Sequence, residues 1–143
     1  MRMNLGLEEV LGIASGFSFS GLIVQLVYVT DENGNKPAAI LNDWSLGYVS
    51  GFVDASIQAA SIPDNSFVAQ RLLLRAFSVL FPSVNSQSLY RRLVRLQDAG
   101  SREIYAGMTR GGADVSAWLT RSIVPMSWVD YMCAPDVCES AIA

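Results

Sequence analysis

The sequence predicts a mainly α-helical fold, one globular domain over residues 1–143 built as a compact bundle of four to six helices. Three observations carry this reading. Apolar residues recur at three- and four-residue spacings after Asp43, the period of helices with one buried face. Prolines 63, 82 and 125 fall where those periodic stretches stop. Hydrophobic residues make up 51% of the chain and charged residues 16%, which is enough for a core and less charge than a soluble surface usually carries.

The first thirty residues have two readings. "LEEVLGIASG" opens a helix, with Asn4 as cap and Glu8 and Glu9 in the first turn. "FSFSGLIVQLVYV" then alternates and is rich in β-branched and aromatic residues, which favours a strand. Either one helix runs over 5–29, with Gly12, Gly16 and Ser20 on a small-residue face, or the helix gives way to a β-hairpin over residues 17–42. The hairpin would turn within "DENGNKP" at 31–37.

The rest reads as helix. Leu46, Val49, Phe52, Val53 and Ile57 form one stripe that ends before Pro63. Val68, Leu72, Ala76 and Leu80 form a second, widened by Leu73 and Phe77, with Asp64 or Asn65 as cap and Pro82 as stop. That breadth marks the second stripe as the central helix. Leu89, Leu93 and Leu96 form a third, closed by Gly100. "SREIYAGMTRGGADVSAWLTRSIVP" gives one helix or two short ones divided at Gly111-Gly112, with Ser101 as cap and Glu103 behind it. After Pro125 the chain is apolar, with Trp128, Tyr131 and Met132, and shows no period.

Three glycine pairs share a four-residue spacing: Gly12/Gly16, Gly47/Gly51 and Gly107/Gly111. A glycine inside a helix is roughly 0.8–1 kcal/mol less favourable than alanine. Close approach between helix backbones is the natural compensation, so these six are read as helix-packing positions. Asp54 lies beside the first stripe, and a desolvated carboxylate needs a partner. A buried ion pair with Arg71 or Arg75 is the expectation. The surrounding "GYVSGFVDA" is similar to a stretch of the helical periplasmic immunity proteins that neutralise type VI secretion amidases. The likeness spans nine of 143 residues, with no cysteine nearby and no signal peptide, and nothing is carried over from it.

Several functions are excluded or disfavoured. There is no histidine, which removes Ser-His-Asp and Cys-His catalysis and the commonest metal ligand. Cys133 and Cys138 alone do not complete a zinc site, and they are read as a reduced pair in the cytoplasm. No catalytic constellation, metal cluster or cofactor motif stands out, so the chain reads as a non-enzyme without cofactor or metal. Ile13–Val29 spans 17 residues and holds three serines, two glycines and Gln25, short of the roughly 20 mainly apolar residues a membrane helix needs. Acids precede it where a signal peptide would carry bases. No membrane role is expected.

Net charge is −3, and its distribution is uneven. Residues 1–70 hold Arg2 and Lys36 against seven acids, leaving −5. Residues 71–121 hold eight arginines against Asp98, Glu103 and Asp114, leaving +5. The leading expectation is therefore a self-associating interaction or accessory protein, a homo-oligomer of dimer type, since apolar surface short of charge is usually covered. The runner-up is a helix-turn-helix DNA-binding protein. Its groove helix would be 86–98, with Ser86, Gln87, Tyr90, Arg91, Arg92 and Arg95 facing DNA and "REIYAGMTRGG" as a wing. The acidic balance argues against nucleic acid. A helical protein with a small-ligand cavity comes third.

Overall fold

The computed structural model describes residues 7–60 and 66–134. Among these it contains six α-helices and no strand: α1 (Leu7–Val29), α2 (Asp43–Ala59), α3 (Ser66–Leu80), α4 (Ser86–Asp98), α5 (Arg102–Arg121) and α6 (Ser127–Met132), with a short 3-10 turn at Ala38–Leu41 before α2. The expected caps Asn4, Asp64 and Asn65, and Cys138, lie outside the described residues.

The N-terminal hairpin is not formed. Residues 17–29 continue α1, and the buried positions Ser18, Leu22, Gln25 and Leu26 step by three and four. The strand-like alternation arose because Ile23, Val24, Val27 and Tyr28, also apolar, face outwards. A helix with apolar residues on both faces loses its contrast in the sequence. Thr30 Oγ1 donates to Leu26 O at 2.6 Å as the helix ends. The turn beyond closes on Asp31, whose Oδ1 accepts from the backbone N–H of Asn35 and Asn33 at 2.8 and 2.9 Å. Those donors, Asn35 first, hold the Asp31 carboxyl below its ordinary value. Gly34 takes the positive φ of 79° that this turn requires.

The enclosed helix is α2, not α3. Asn42 caps it, accepting from Ser45 N at 2.9 Å, and every residue from Ser45 to Val53 is buried. Its small residues explain this. Gly47, Gly51, Ser45 and Ser50 let neighbours close in on all sides, whereas the larger apolar residues of α3 bury one face only, through Val68, Leu72, Leu73, Ala76, Phe77 and Leu80.

Against α2 lies α5, and the two meet backbone to backbone. A Cβ added to Gly51 would stand 2.7 Å from the carbonyl carbon and Cα of Met108. One added to Gly107 would stand 2.7 Å from Tyr48 N, and one at Gly111 2.7 Å from Phe52 N. Gly47 faces the Ile104 carbonyl in the same way. The contacts alternate along the pair, each glycine seating a peptide group of the opposite helix. Gly16 differs, for it is exposed and a Cβ there would meet nothing within 4 Å. Gly12 is outside the residues whose surroundings are described.

Helix α5 is continuous. It is capped by Ser101, which accepts from Ile104 N, and it runs through Gly111 and Gly112 without a break to Ser122, where φ is 55°. Of the two alternatives, one helix or two divided there, the single helix is formed, with Gly111 held against Tyr48 and Phe52. The same continuity removes the wing expected over residues 102–112. Gly100 ends α4 at φ 69°. No described helix is long and apolar enough to cross a membrane.

Candidate functional site

The most organised polar chemistry of the molecule lies where α6 lands on α1, α2 and α5. Gln25 of α1 is fully buried. Its Nε2 donates to Tyr48 Oη at 2.9 Å and to Gly21 O at 3.2 Å. Its Oε1 accepts from Trp128 N at 2.9 Å and Val129 N at 3.4 Å. Both amides belong to the first turn of α6, where N–H groups have no partner within the helix. Tyr48 Oη donates on to Asp114 Oδ2 at 2.6 Å. Ser127 Oγ donates to Asp114 Oδ1 at 2.6 Å, and Ser127 N donates to Oδ2 at 3.2 Å. Arg110 Nε then donates to Ser127 Oγ at 3.0 Å from the outside.

A second strand of the network starts at the same short helix. Trp128 Nε1 donates to Ser45 Oγ at 2.9 Å, and Ser45 Oγ donates to Ala39 O at 2.6 Å. Asn42 Nδ2 donates to Tyr131 Oη at 2.8 Å. The Tyr131 ring stacks on Trp44, with centroids 4.0 Å apart and planes within 12°. Each buried member has found a partner, and a satisfied network of this kind rigidifies a fold. It is a clasp for α6. Its one serine–carboxylate contact has no histidine to act as base, and among the described residues no three His, Cys, Asp or Glu groups converge as a metal site.

The clasp also sets an alkaline limit. Burial, and after it the hydrogen bond to Asp114, push the Tyr48 phenol well above its ordinary value. A raised folded value means that the stabilising difference is complete below the unfolded tyrosine value of about 10 and is lost as pH rises beyond it. We expect the melting temperature to decline above about pH 10. In an absorbance titration, one of the five tyrosines should ionise only as the fold opens. Five tyrosines ionising together in a still-folded protein would contradict this.

The expected buried ion pair at Asp54 is absent. The Asp54 carboxylate is exposed and accepts from Gln58 Nε2, one turn on, at 3.0 Å. Arg71 and Arg75 are exposed on α3, and neither pairs with it. Asp54 sits beside the buried stripe and not on it, so no desolvation demands a cation.

On α4, Leu89 and Leu93 face the core. Arg92 is committed to the fold, with Nη2 2.6 Å from Asp43 Oδ1 and Nη1 donating to Leu41 O at 2.9 Å. Gln87, Arg91 and Arg95 are exposed, while Ser86 and Tyr90 are half-buried.

Among the clefts lined by described residues, four are well defined. One holds Ile23, Val27, Val79 and Pro82, with Asp31 and Lys36 on its rim. A second lies over Trp44, Arg110, Ser127 and Tyr131 at the outer end of the clasp. The remaining two flank Asp54.

The sequence pointed to Asp54 and the α4 arginines and missed Gln25, Tyr48, Asp114 and Ser127. One signal was present: a glutamine inside an otherwise apolar run needs a buried partner if that run is helix. No protein-family model, curated protein or solved structure matches the chain.

Proposed function

We propose that this chain is a non-catalytic interaction protein that pairs with a second copy of itself through the C-terminal half of α1. The observation that carries the reading is the outward strip Ile23, Val24, Val27 and Tyr28, with Val27 and Tyr28 68% and 70% exposed. Val79 of α3, 46% exposed, extends it across the neighbouring cleft. Monomeric proteins seldom leave contiguous apolar patches above a few hundred Å2 uncovered.

A second copy is the occupant we favour because the strip is self-complementary. Its centre carries no charge, and its rim carries one acid and one base, Asp31 and Lys36. Under a twofold axis each would find its opposite on the partner. A rim of one sign would repel its own copy. Cytoplasmic residence, with the exposed thiol of Cys133 reduced, belongs to the same proposal.

Static light scattering on a sizing column tests it. The expected mass is twice the 15.5 kDa of the chain, falling to one copy in the double variant Val27→Glu, Tyr28→Ser. Both side chains are exposed, so the melting temperature of that variant at low concentration should stay unchanged. A wild-type protein that remains monomeric at high micromolar concentration would sink the reading.

A further inference from the structure

Asp54 stands on the wall between two clefts. The smaller, of about 270 Å3, opens between α2, α3 and α4 and is closed by Met108 of α5. The larger, of about 530 Å3, lies on the other side, between α2 and α5. Asp54 and Met108 line both, and among the described residues neither cleft is lined by a lysine or an arginine. In a chain with ten basic residues, the one formal charge facing these spaces is negative.

The smaller cleft has the more definite chemistry. Its floor is apolar, formed by Val53, Ile57, Leu73, Leu93 and Met108. Gln97 Nε2 reaches Met108 Sδ at 3.4 Å and holds that side chain in the wall. The rim carries the Asp54 carboxylate, the Gln70 amide and the Tyr90 phenol. Gln58 occupies one carboxylate oxygen, Oδ2, and among the described residues no other group hydrogen-bonds to Asp54. A ligand that fits must bring a hydrocarbon body for the floor and a cationic donor for the rim. An anion would meet the Asp54 charge, and a neutral chain would leave it unused. Size agrees, for an apolar cavity of about 150 Å3 already admits benzene.

We propose that this cleft binds a primary ammonium group carried on a short unbranched hydrocarbon, with Asp54 as the anionic anchor and Tyr90 and Gln70 as neutral polar partners. The charge contact is solvent-exposed, so it adds selectivity more than strength. The apolar floor supplies the rest of the affinity.

The probe is n-hexylammonium, titrated into the full chain while the Tyr90 ring and the Met108 methyl are followed by NMR, with n-hexanol and hexanoate as matched controls. Both signals should shift with a dissociation constant on the order of 1 mM. n-Hexanol should bind about fivefold more weakly, the worth of one exposed charge contact, and hexanoate more weakly still. Asp54→Asn keeps the shape and removes the charge, and should bring hexylammonium down to the level of hexanol. Ala69→Leu fills the cleft and should weaken both, whereas Ala55→Leu, on the larger cleft, should change neither. The proposal is overturned if hexylammonium and hexanol bind alike to the wild type. It is equally overturned if Asp54→Asn changes nothing, if binding is undetectable at tens of millimolar, or if Ala55→Leu and not Ala69→Leu abolishes the shifts. Dimerisation through α1 stands or falls separately, since neither Asp54 nor Ala69 touches that strip.

Discussion

Gly111→Ala should destabilise the protein by roughly 3 kcal/mol, while the same substitution at the very next residue, Gly112→Ala, should stabilise it by up to about 1 kcal/mol. Both positions lie inside α5, so the backbone gains the same helical preference at each. The difference lies in what the new methyl meets. At Gly111 it would stand 2.7 Å from Phe52 N and nearer still to Tyr48 O, whereas at Gly112 it meets nothing within 4 Å. The obstructing atoms at Gly111 are backbone, and backbone cannot rotate aside as a side chain can. The helices must separate, and every neighbour packed on α2 moves with them. Gly51→Ala and Gly107→Ala should follow Gly111, and Gly16→Ala should follow Gly112. Urea unfolding measures this through midpoints at constant slope. Equal effects at 111 and 112 would mean that α2 and α5 are not in backbone contact.

The second large effect concerns the clasp. Gln25→Leu keeps the approximate volume but removes both ends of the amide. Trp128 N–H and Val129 N–H then lose their acceptor, and Tyr48 Oη loses a donor. A buried polar group without a partner costs about 1–3 kcal/mol, and more than one is orphaned here. We expect a loss of about 3–4 kcal/mol, with α6 released before the remaining helices. Trp128 reports that release. It is fully buried, its indole N–H bonded to Ser45 Oγ, so its emission should move to longer wavelength in the variant under native conditions. A variant that keeps wild-type emission and stability would show that Gln25 does not hold α6.

What could be read along the chain was local. The stripes that became α2, α3 and α4 show the helical period, and Ser101 and Gly100 mark ends that a single turn of chain determines. The hairpin alternative arose from α1, where Ile23, Val24, Val27 and Tyr28 are apolar without being buried. Period-based reading assumes that apolar residues face inwards, and a helix with an uncovered apolar face breaks that assumption. Asp54 misled for the related reason that adjacency to a stripe is not membership of it. Of the clasp, only the need of Gln25 for a partner was legible, and the partner itself lay out of reach. Gln25 meets Trp128 across 103 positions, and nothing local in either segment names the other. The glycine spacing was visible, yet which helix would lie against which depends on how the bundle closes.

The alternating glycines of α2 and α5 also bear on motion. Two helices whose peptide groups lie against one another have almost no side-chain layer to rearrange, so they separate completely or not at all. Amide hydrogens of Gly47–Val53 and Ile104–Gly111 should therefore exchange with solvent deuterium only through global unfolding. Those of α6, a helix of six residues held by the Gln25 amide and by Trp128 and Met132 in the core, should exchange through a cheaper local opening. The protein would then have one slow-exchanging spine and a peripheral helix that comes and goes on a faster clock.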